Sequence, residues 1–453
     1  MKKIGLFLFP ALFLLMAAAP ALGMLVFGPA QAAANEVLAQ PPEATDAEGS
    51  FNLSLLNDAS DYFRDRFWLR QELITVNAAL EAAVFAESAS EKVILGKEGW
   101  LFFRETLDDY RGENPLSARR VWAAARTLAL IREYAAARGA ETLFVPVPNK
   151  NTIYPEYMPD RMSRATEPGN YDRLLSALAA EGVEALDLRP VLLAHKEEAQ
   201  LYQRLDSHWN NLGAALAHDA ILDALGRDGT AWDPAGFTLR QDHSPDLYEM
   251  LYPAGDEKDV QAYPDREQSF RYLRPIRSAE DQRISTVSET GEGSLLMFRD
   301  SFANTLHTFL AESFSQALFA RAMPYDLRLL DSEQPELLIL EITERNLNRL
   351  AERPPILVAP IREPELSGAV PAGTLNLRME ENGGLFCLLG ELAAEPDPDS
   401  PVYLEADGTV REASPVGETE RSFAAYLPEA PRELRVFWYA GGELFSAPAA
   451  LTP

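Results

Sequence analysis

The chain has 453 residues, 47% hydrophobic and 24% charged, a globular composition with room for two or three domains and no sign of wholesale disorder. Its formal net charge of −28 excludes a nucleic-acid partner, because so acidic a chain lacks the positive field that displaces phosphate counterions. A polyanionic substrate would need a local basic groove.

Lys2 and Lys3 precede an uncharged, largely apolar stretch from Ile4 to Gly28. A positive start before an apolar run is an export signal, and "AQA" at 30–32 resembles a cleavage site. The run exceeds the roughly 7–15 residues of an ordinary signal core and is long enough to span a bilayer. Residues 1–34 therefore read as either a signal peptide or a signal anchor. Both place the body of the protein in the periplasm, in the second case held at the inner membrane. The single cysteine, Cys387, allows no intramolecular disulfide.

Residues 35–50, with "QPPEATDAEGS", read as a linker, and helical spacing runs from Phe51 to about Phe85. "KVILGKEGWLFF" reads as two short strands around a Lys97–Gly99 turn. Helix-like and strand-like segments then alternate. Helices are expected at 117–139, 171–184, 211–226 and 301–314. Strands are expected at "ETLFVPVP", "EALDLRPVL", "SLLMFRD" and "PELLILEIT". Apolar strands without alternation, separated by helices, predict a mostly parallel sheet covered on both faces. From about Pro364 the pattern changes to short strands such as "TLNLRME", "GLFCLLGEL" and "ELRVFWYAGGELF" between Gly, Pro and Asp turns. This predicts a small β-sandwich-like domain. The organisation expected is 1–34 signal or anchor, 35–90 linker and helical segment, 91–360 α/β domain, and 364–453 β-rich domain.

The stretch "LMFRDSFANTLHTFL" sets Ser301 where a buried strand hands over to a helix. Ligands bind at the strand carboxyl ends of open α/β sheets, and a helix N-terminus there stabilises an oxyanion. Ser301 or Asp300 can equally be a plain helix cap. Of the five histidines, His218 lies in a helical pattern, His307 points down the helix after Ser301, and His195 and His243 sit in charged surroundings typical of solvated loops. His208, in "RLDSHWNN", has Asp206 two positions before it, so the two side chains project to one side of an extended segment. Asp206, His208 and Ser301 would supply orienter, base and nucleophile. Asp206 and His208 capping the next helix is the alternative. No HExxH, clustered His/Cys, EF-hand, Walker A or GxGxxG pattern occurs, so neither a metal nor a cofactor is expected.

"DSHW" at 206–209, "FRDSF" at 298–302, "GKEGWLFF" at 96–103, "VPVPNKNTIYPEYMP" at 145–159 and "PELLILEITERNL" at 335–347 together resemble the periplasmic SGNH-hydrolase-like acetyltransferases of alginate O-acetylation. The resemblance covers roughly residues 55–350. It implies a flavodoxin-like α/β/α sandwich, with Asp206 and His208 as triad acid and base and Ser301 as nucleophile. It also implies an acetyl-enzyme, a polysaccharide acceptor, and a membrane-bound O-acyltransferase that supplies acetyl groups. The glycine usual before Asp-Ser is Arg299 here. The Ser301 N–H is the expected oxyanion donor, with Asn149 and Asn304 as side-chain candidates. Lys150, Arg299 and Arg345 are candidates for a basic groove, or else make surface salt bridges. The same triad would serve an O-acetyl esterase of polysaccharide or peptidoglycan. A non-catalytic glycan-binding component of a secretion complex is a further alternative.

Overall fold

The computed structural model describes residues 2–31, 38–45 and 49–452, without the side chains of 2–9, 11, 12, 16 and 17. The end of the cleavage-like "AQA" and parts of the linker (35–37 and 46–48) lie outside the described residues. Helix Lys2–Phe27 opens the chain, followed by Leu55–Arg66 and Arg70–Phe85. Among the described residues no helix is long and apolar enough to cross a membrane, so the signal-or-anchor expectation rests on sequence. Val93–Leu95 and Leu101–Phe103 pair antiparallel around Lys97–Gly99, with Gly99 at φ +77, a left-handed turn conformation that glycine adopts without strain.

The central sheet has six strands: β1 (Glu141–Val147), β2 (Phe270–Tyr272), β3 (Arg283–Ser288), β4 (Ser294–Phe298), β5 (Gln316–Ala320) and β6 (Leu337–Thr343). Their order is β1-β6-β4-β5-β3-β2. β1, β6, β4 and β5 run parallel, while β3 and β2 add antiparallel at one edge. The sheet is mixed rather than uniformly parallel. The apolar strands are parallel, as their helix-separated spacing predicts. The two edge strands arise from 237–288, where no helix of crossover length intervenes and reversal is the short route.

Residues on the inner strands alternate between two apolar clusters. Leu143, Val145, Met297 and Ile339 face the helices Asn211–Ala224 and Ala303–Ser313. Phe144, Phe298, Leu338 and Leu340 face the helices Ala118–Ala136 and Asn170–Ala180. Burial on both faces explains why β6 is apolar at nearly every position and buried throughout. The strand expected at "EALDLRPVL" is reduced to one bridge, Phe144 to Ala185, before a helix begins at Arg189. Asp187 accepts from the Arg189 N–H and Pro190 fits the first turn, so local chemistry ends the strand.

The C-terminal strands are β7 (Leu375–Asn382), β8 (Leu385–Glu391), β9 (Val402–Ala406), β10 (Thr409–Ala413), β11 (Ser422–Leu427), β12 (Leu434–Ala440) and β13 (Glu443–Thr452). They form one sheet in the order β10-β9-β12-β13-β7-β8-β11, with the short strand Val370–Pro371 on β13. A Ser414–Ala424 bridge brings its two ends together. This corrects the expected sandwich to a nearly closed barrel: one sheet curls around Leu377, Leu388, Leu404, Val436 and Trp438 instead of two sheets facing each other. Trp438 and Phe437 of "VFWYAGG" are buried, which makes them core, not a sugar platform. Glu412, itself buried, accepts from Arg126 and Arg362 and so ties the barrel to the helix Ala118–Ala136.

Candidate active site

The carboxyl ends of β1, β6 and β4 lie side by side. β4 delivers Arg299–Phe302 and β6 delivers Thr343–Asn346. The helix after β4 starts at Ala303, and its N-cap position is Phe302, with no side-chain cap. Ser301 is therefore not the helix cap. Its Oγ lies 2.8 Å from His208 Nε2. Asp300 holds the turn: Oδ1 accepts from the Phe302 N–H, and Oδ2 accepts from the Thr343 N–H, the Thr343 hydroxyl and the Asn346 amide. The Asp300 N–H donates to Glu341 Oε2. Arg299 is not among the residues with left-handed φ, so this turn does not require the missing glycine.

The second half of the site is the loop before the helix Asn211–Ala224. Asn210, not Asp206 or His208, caps that helix, accepting from the Gly213 N–H. Asp206 Oδ1 instead accepts from the His208 N–H at 2.9 Å and from Nδ1 at 2.7 Å. Nδ1 therefore carries the ring proton, leaving Nε2 to accept from Ser301. The loop is held from both sides. Lys150 Nζ donates to the carbonyls of Gln203, Arg204 and Asp206. Trp209 Nε1 donates to Phe302 O and Thr305 Oγ1, tying the histidine loop to the nucleophile turn.

Asp206 Oδ2 accepts from His243 Nε2 at 3.1 Å and from the Asp246 N–H. This corrects the solvated-loop expectation for His243, whose strand Phe237–His243 delivers it to the acid. Burial pushes the Asp206 carboxyl up, but the charge and hydrogen bond of His208, helped by His243, outweigh it and hold Asp206 well below the usual carboxylate range. Burial disfavours charge on His208 as well. The Asp206 carboxylate and Asp246 more than offset this, so His208 is raised above its ordinary value. His218 is packed, as its helical context predicts, between Asp219 and Ser313. His307 is buried and pushed down to about 4, by burial first and by Arg299 second.

A cleft of about 620 Å³ opens over Ser301, and Arg299, Arg321, Arg345 and Arg349 line it. Three expected site residues need correction. Lys150 lines no groove: it is buried, its donors are spent on carbonyls, and burial pushes its ammonium down to about 7. Asn304 is not positioned as an oxyanion donor, because its amide group donates to Glu280 and its Oδ1 accepts from Arg299. Arg299 lines the cleft but is buried and spans from Asn304 to the carbonyls of Ala279 and Asp281, so it is a brace rather than a free cation. Asn149 is buried at the end of β1, where its Oδ1 accepts from the Arg345 N–H. Arg345 is half-buried, with its guanidinium 5.3 Å from both the Phe103 and Phe302 ring centres. Among the described residues it makes no direct ion pair, but its charge helps hold the Asp300 carboxyl below the usual carboxylate range. The Ser301 N–H has no acceptor among the described residues, as an oxyanion donor requires.

Atoms of Asp206, His208 and Asp246 lie within 4.8 Å of one another, close enough to surround a cation. They are engaged instead in hydrogen bonds to one another's segment and to Ser207. The arrangement suits proton transfer from a serine hydroxyl followed by acyl transfer at its oxygen. His243, Asp246 and Trp209 were not assigned a role from sequence. The only signals for them are the proximity of "HSPD" to a proline-set turn and the tryptophan directly after His208.

Residues 93–308 match the family described as "SGNH hydrolase-like domain, acetyltransferase AlgX". That span holds four of the five motifs on which the resemblance to the alginate O-acetylation proteins rests, so the resemblance is borne out there. The probable alginate O-acetylase AlgJ of Pseudomonas syringae pv. tomato is 30% identical over 248 residues, covering 54% of this chain and 59% of that protein. The probable alginate O-acetylase AlgJ of Pseudomonas putida is 26% identical over 199 residues, covering 43% of this chain and 50% of that one. This chain thus spans only about half to three-fifths of the length of these relatives. Among solved structures, Bacillus cereus PatB1 with a sulfonyl adduct is 17% identical with a TM-score of 0.44, covering 56% of this chain and 95% of that one.

Proposed function

We propose that this protein is an O-acetyltransferase that acylates a polysaccharide through a Ser301 acetyl-enzyme. The observation that carries this reading is the 2.8 Å contact between Ser301 Oγ and His208 Nε2, with Asp206 2.7 Å from the other ring nitrogen. The names of the relatives point to the same chemistry. His208 takes the proton of Ser301 as Oγ attacks the acetyl carbonyl of a donor, and returns it to the donor's departing oxygen. A sugar hydroxyl then attacks the acetyl-enzyme, His208 takes that proton, and Ser301 leaves with it restored. The Ser301 N–H faces the developing oxyanion. Arg345 lines the Ser301 cleft, where its guanidinium can meet an acidic sugar.

The same reading places the protein in the periplasm, with residues 1–34 as signal or anchor, and has a membrane-bound O-acyltransferase supply acetyl groups. Residues 91–360 form the catalytic unit in this division, and 364–453 an appended β-rich unit. The test is intact mass after exposure to a small acetyl ester. Wild type gains one acetyl group and passes it to an added oligosaccharide, whereas Ser301→Ala gains none. An acetyl adduct that persists in Ser301→Ala overturns the assignment. Release of acetate to water alone, with oligosaccharide present, makes the protein an esterase.

A further inference from the structure

Asp206 accepts from four N–H donors, two at each carboxylate oxygen: the His208 N–H and Nδ1–H at Oδ1, and the Asp246 N–H and His243 Nε2–H at Oδ2. Two imidazoles therefore share one buried acid. One comes from the loop before the helix Asn211–Ala224, the other from a hairpin later in the chain. That hairpin pairs Phe237–His243 antiparallel with Asp259–Pro264, and the middle of its first strand is exposed. Its register shifts between Gln241 and His243, an irregularity of the kind that re-aims a side chain. Here it leaves the His243 ring on Asp206. The same segment grips the neighbours of Asp206. Asp259 accepts from the Leu205 N–H, the Tyr248 N–H donates to the Leu205 carbonyl, and Asp246 accepts from the Ser207 N–H and hydroxyl.

We propose that His243 is a positioning residue for the proposed triad: its Nε2–H holds Asp206 Oδ2 and draws negative charge from the carboxylate, leaving less of that charge to the His208 ring. This rests on the acyl-transfer reading of Ser301, which makes His208 the base. A carboxylate that spends one oxygen on a second imidazole favours the His208 cation less. Neutral His208, the form that takes the serine proton, is then present at lower pH. The Asp246 and His208 backbone N–H groups keep Asp206 in place without His243, so its loss is felt in the charge that His208 meets. The charged groups facing His243 are Asp206, Asp246 and Asp259. The Lys150 ammonium is spent on carbonyls and the Lys258 ammonium on the Ser244 hydroxyl, so neither replaces His243 at Oδ2.

The test is the pH dependence of acetyl-enzyme formation in the full chain, read by intact mass, beside an NMR titration of the His208 ring in histidine-labelled protein. In His243→Leu both midpoints move to higher pH, and the rate near neutral pH falls by about threefold or more. His243→Gln sets an amide N–H near the place of Nε2 and recovers part of that shift. Midpoints in His243→Leu equal to wild type overturn the assignment, and so does a His243→Gln displaced as far as His243→Leu. The ring titration needs no turnover, which keeps the two readings separable. A wild type that forms no acetyl adduct removes the catalytic reading, while a shifted His208 in His243→Leu still shows that His243 sets the basicity of that ring.

Discussion

His208 Nε2 and Ser301 Oγ are 2.8 Å apart although 93 positions of sequence separate them. Two anchors hold this distance from opposite sides. Lys150 fixes the backbone of the histidine loop, and Asp300 pins the serine turn to β6. The pair behaves as a unit, and its consequences are measurable.

Acetyl-enzyme formation should rise with pH, because only neutral His208 accepts the serine proton. Burial opposes its charge, Asp206 favours it more strongly, and the midpoint therefore lies above the ordinary value of 6.5. The stability that His208 contributes has the opposite sense: it is complete below the unfolded-state pKa and is lost as pH rises through the folded-state one. Asp206→Asn should move the rate midpoint down and cut the limiting rate by up to about 10⁴-fold. A rate that does not change between about pH 5 and pH 9 counts against His208 as base.

Lys150→Met should destabilise the protein by about 3 kcal/mol, because three carbonyl oxygens lose their buried donor at once. Acetyl-enzyme formation should fall with it, since the Asp206 segment is no longer fixed. Urea unfolding monitored by tryptophan fluorescence reads the first effect. A midpoint equal to wild type would show that the loop does not depend on this ammonium.

Glu341 is buried in β6 with its carboxyl against Asp300, and burial first, then the Asp300 charge, raise its pKa well above the ordinary value of 4.5. Above about pH 4.5 the folded state thus holds a proton that the unfolded chain has already released. Its contribution to stability is complete below about pH 4.5 and is lost as pH climbs through the folded-state value. Glu341→Gln keeps the shape and the acceptor for the Asp300 N–H without that penalty. The melting temperature of the variant should gain on wild type at alkaline pH and not at acid pH; parallel pH curves would refute this.

Ser313, His218 and Asp219 repeat the residue types of the proposed triad at similar distances, with His218 2.7 Å from Ser313 Oγ and 2.8 Å from Asp219. His218 is buried, and none of the three lines the Ser301 cleft. Ser313→Ala should leave acetyl transfer within about twofold of wild type and lower stability by about 1 kcal/mol. A large loss of transfer would mean that hydrogen-bond geometry alone misleads in this fold.

Sequence by itself determined the parts that depend on local pattern. Apolar runs at 143–147, 295–298 and 337–340 mark strands buried on both faces, and the spacing of Asp206 and His208 puts acid and base on one segment. It also singled out Ser301 at the strand–helix junction. Tertiary structure decided what each polar side chain meets. Lys150 looks like a groove cation until its three acceptors arrive from residues 203–206, and His243 looks solvated until its strand delivers it to Asp206. The antiparallel edge of the sheet and the closure of the C-terminal strands into a barrel were likewise decided there, because strand partners lie far apart in sequence. The physical reason is common to all four: periodicity records whether a face is buried, whereas the direction of a neighbouring strand and the partner of a buried charge depend on groups brought in from distant parts of the chain.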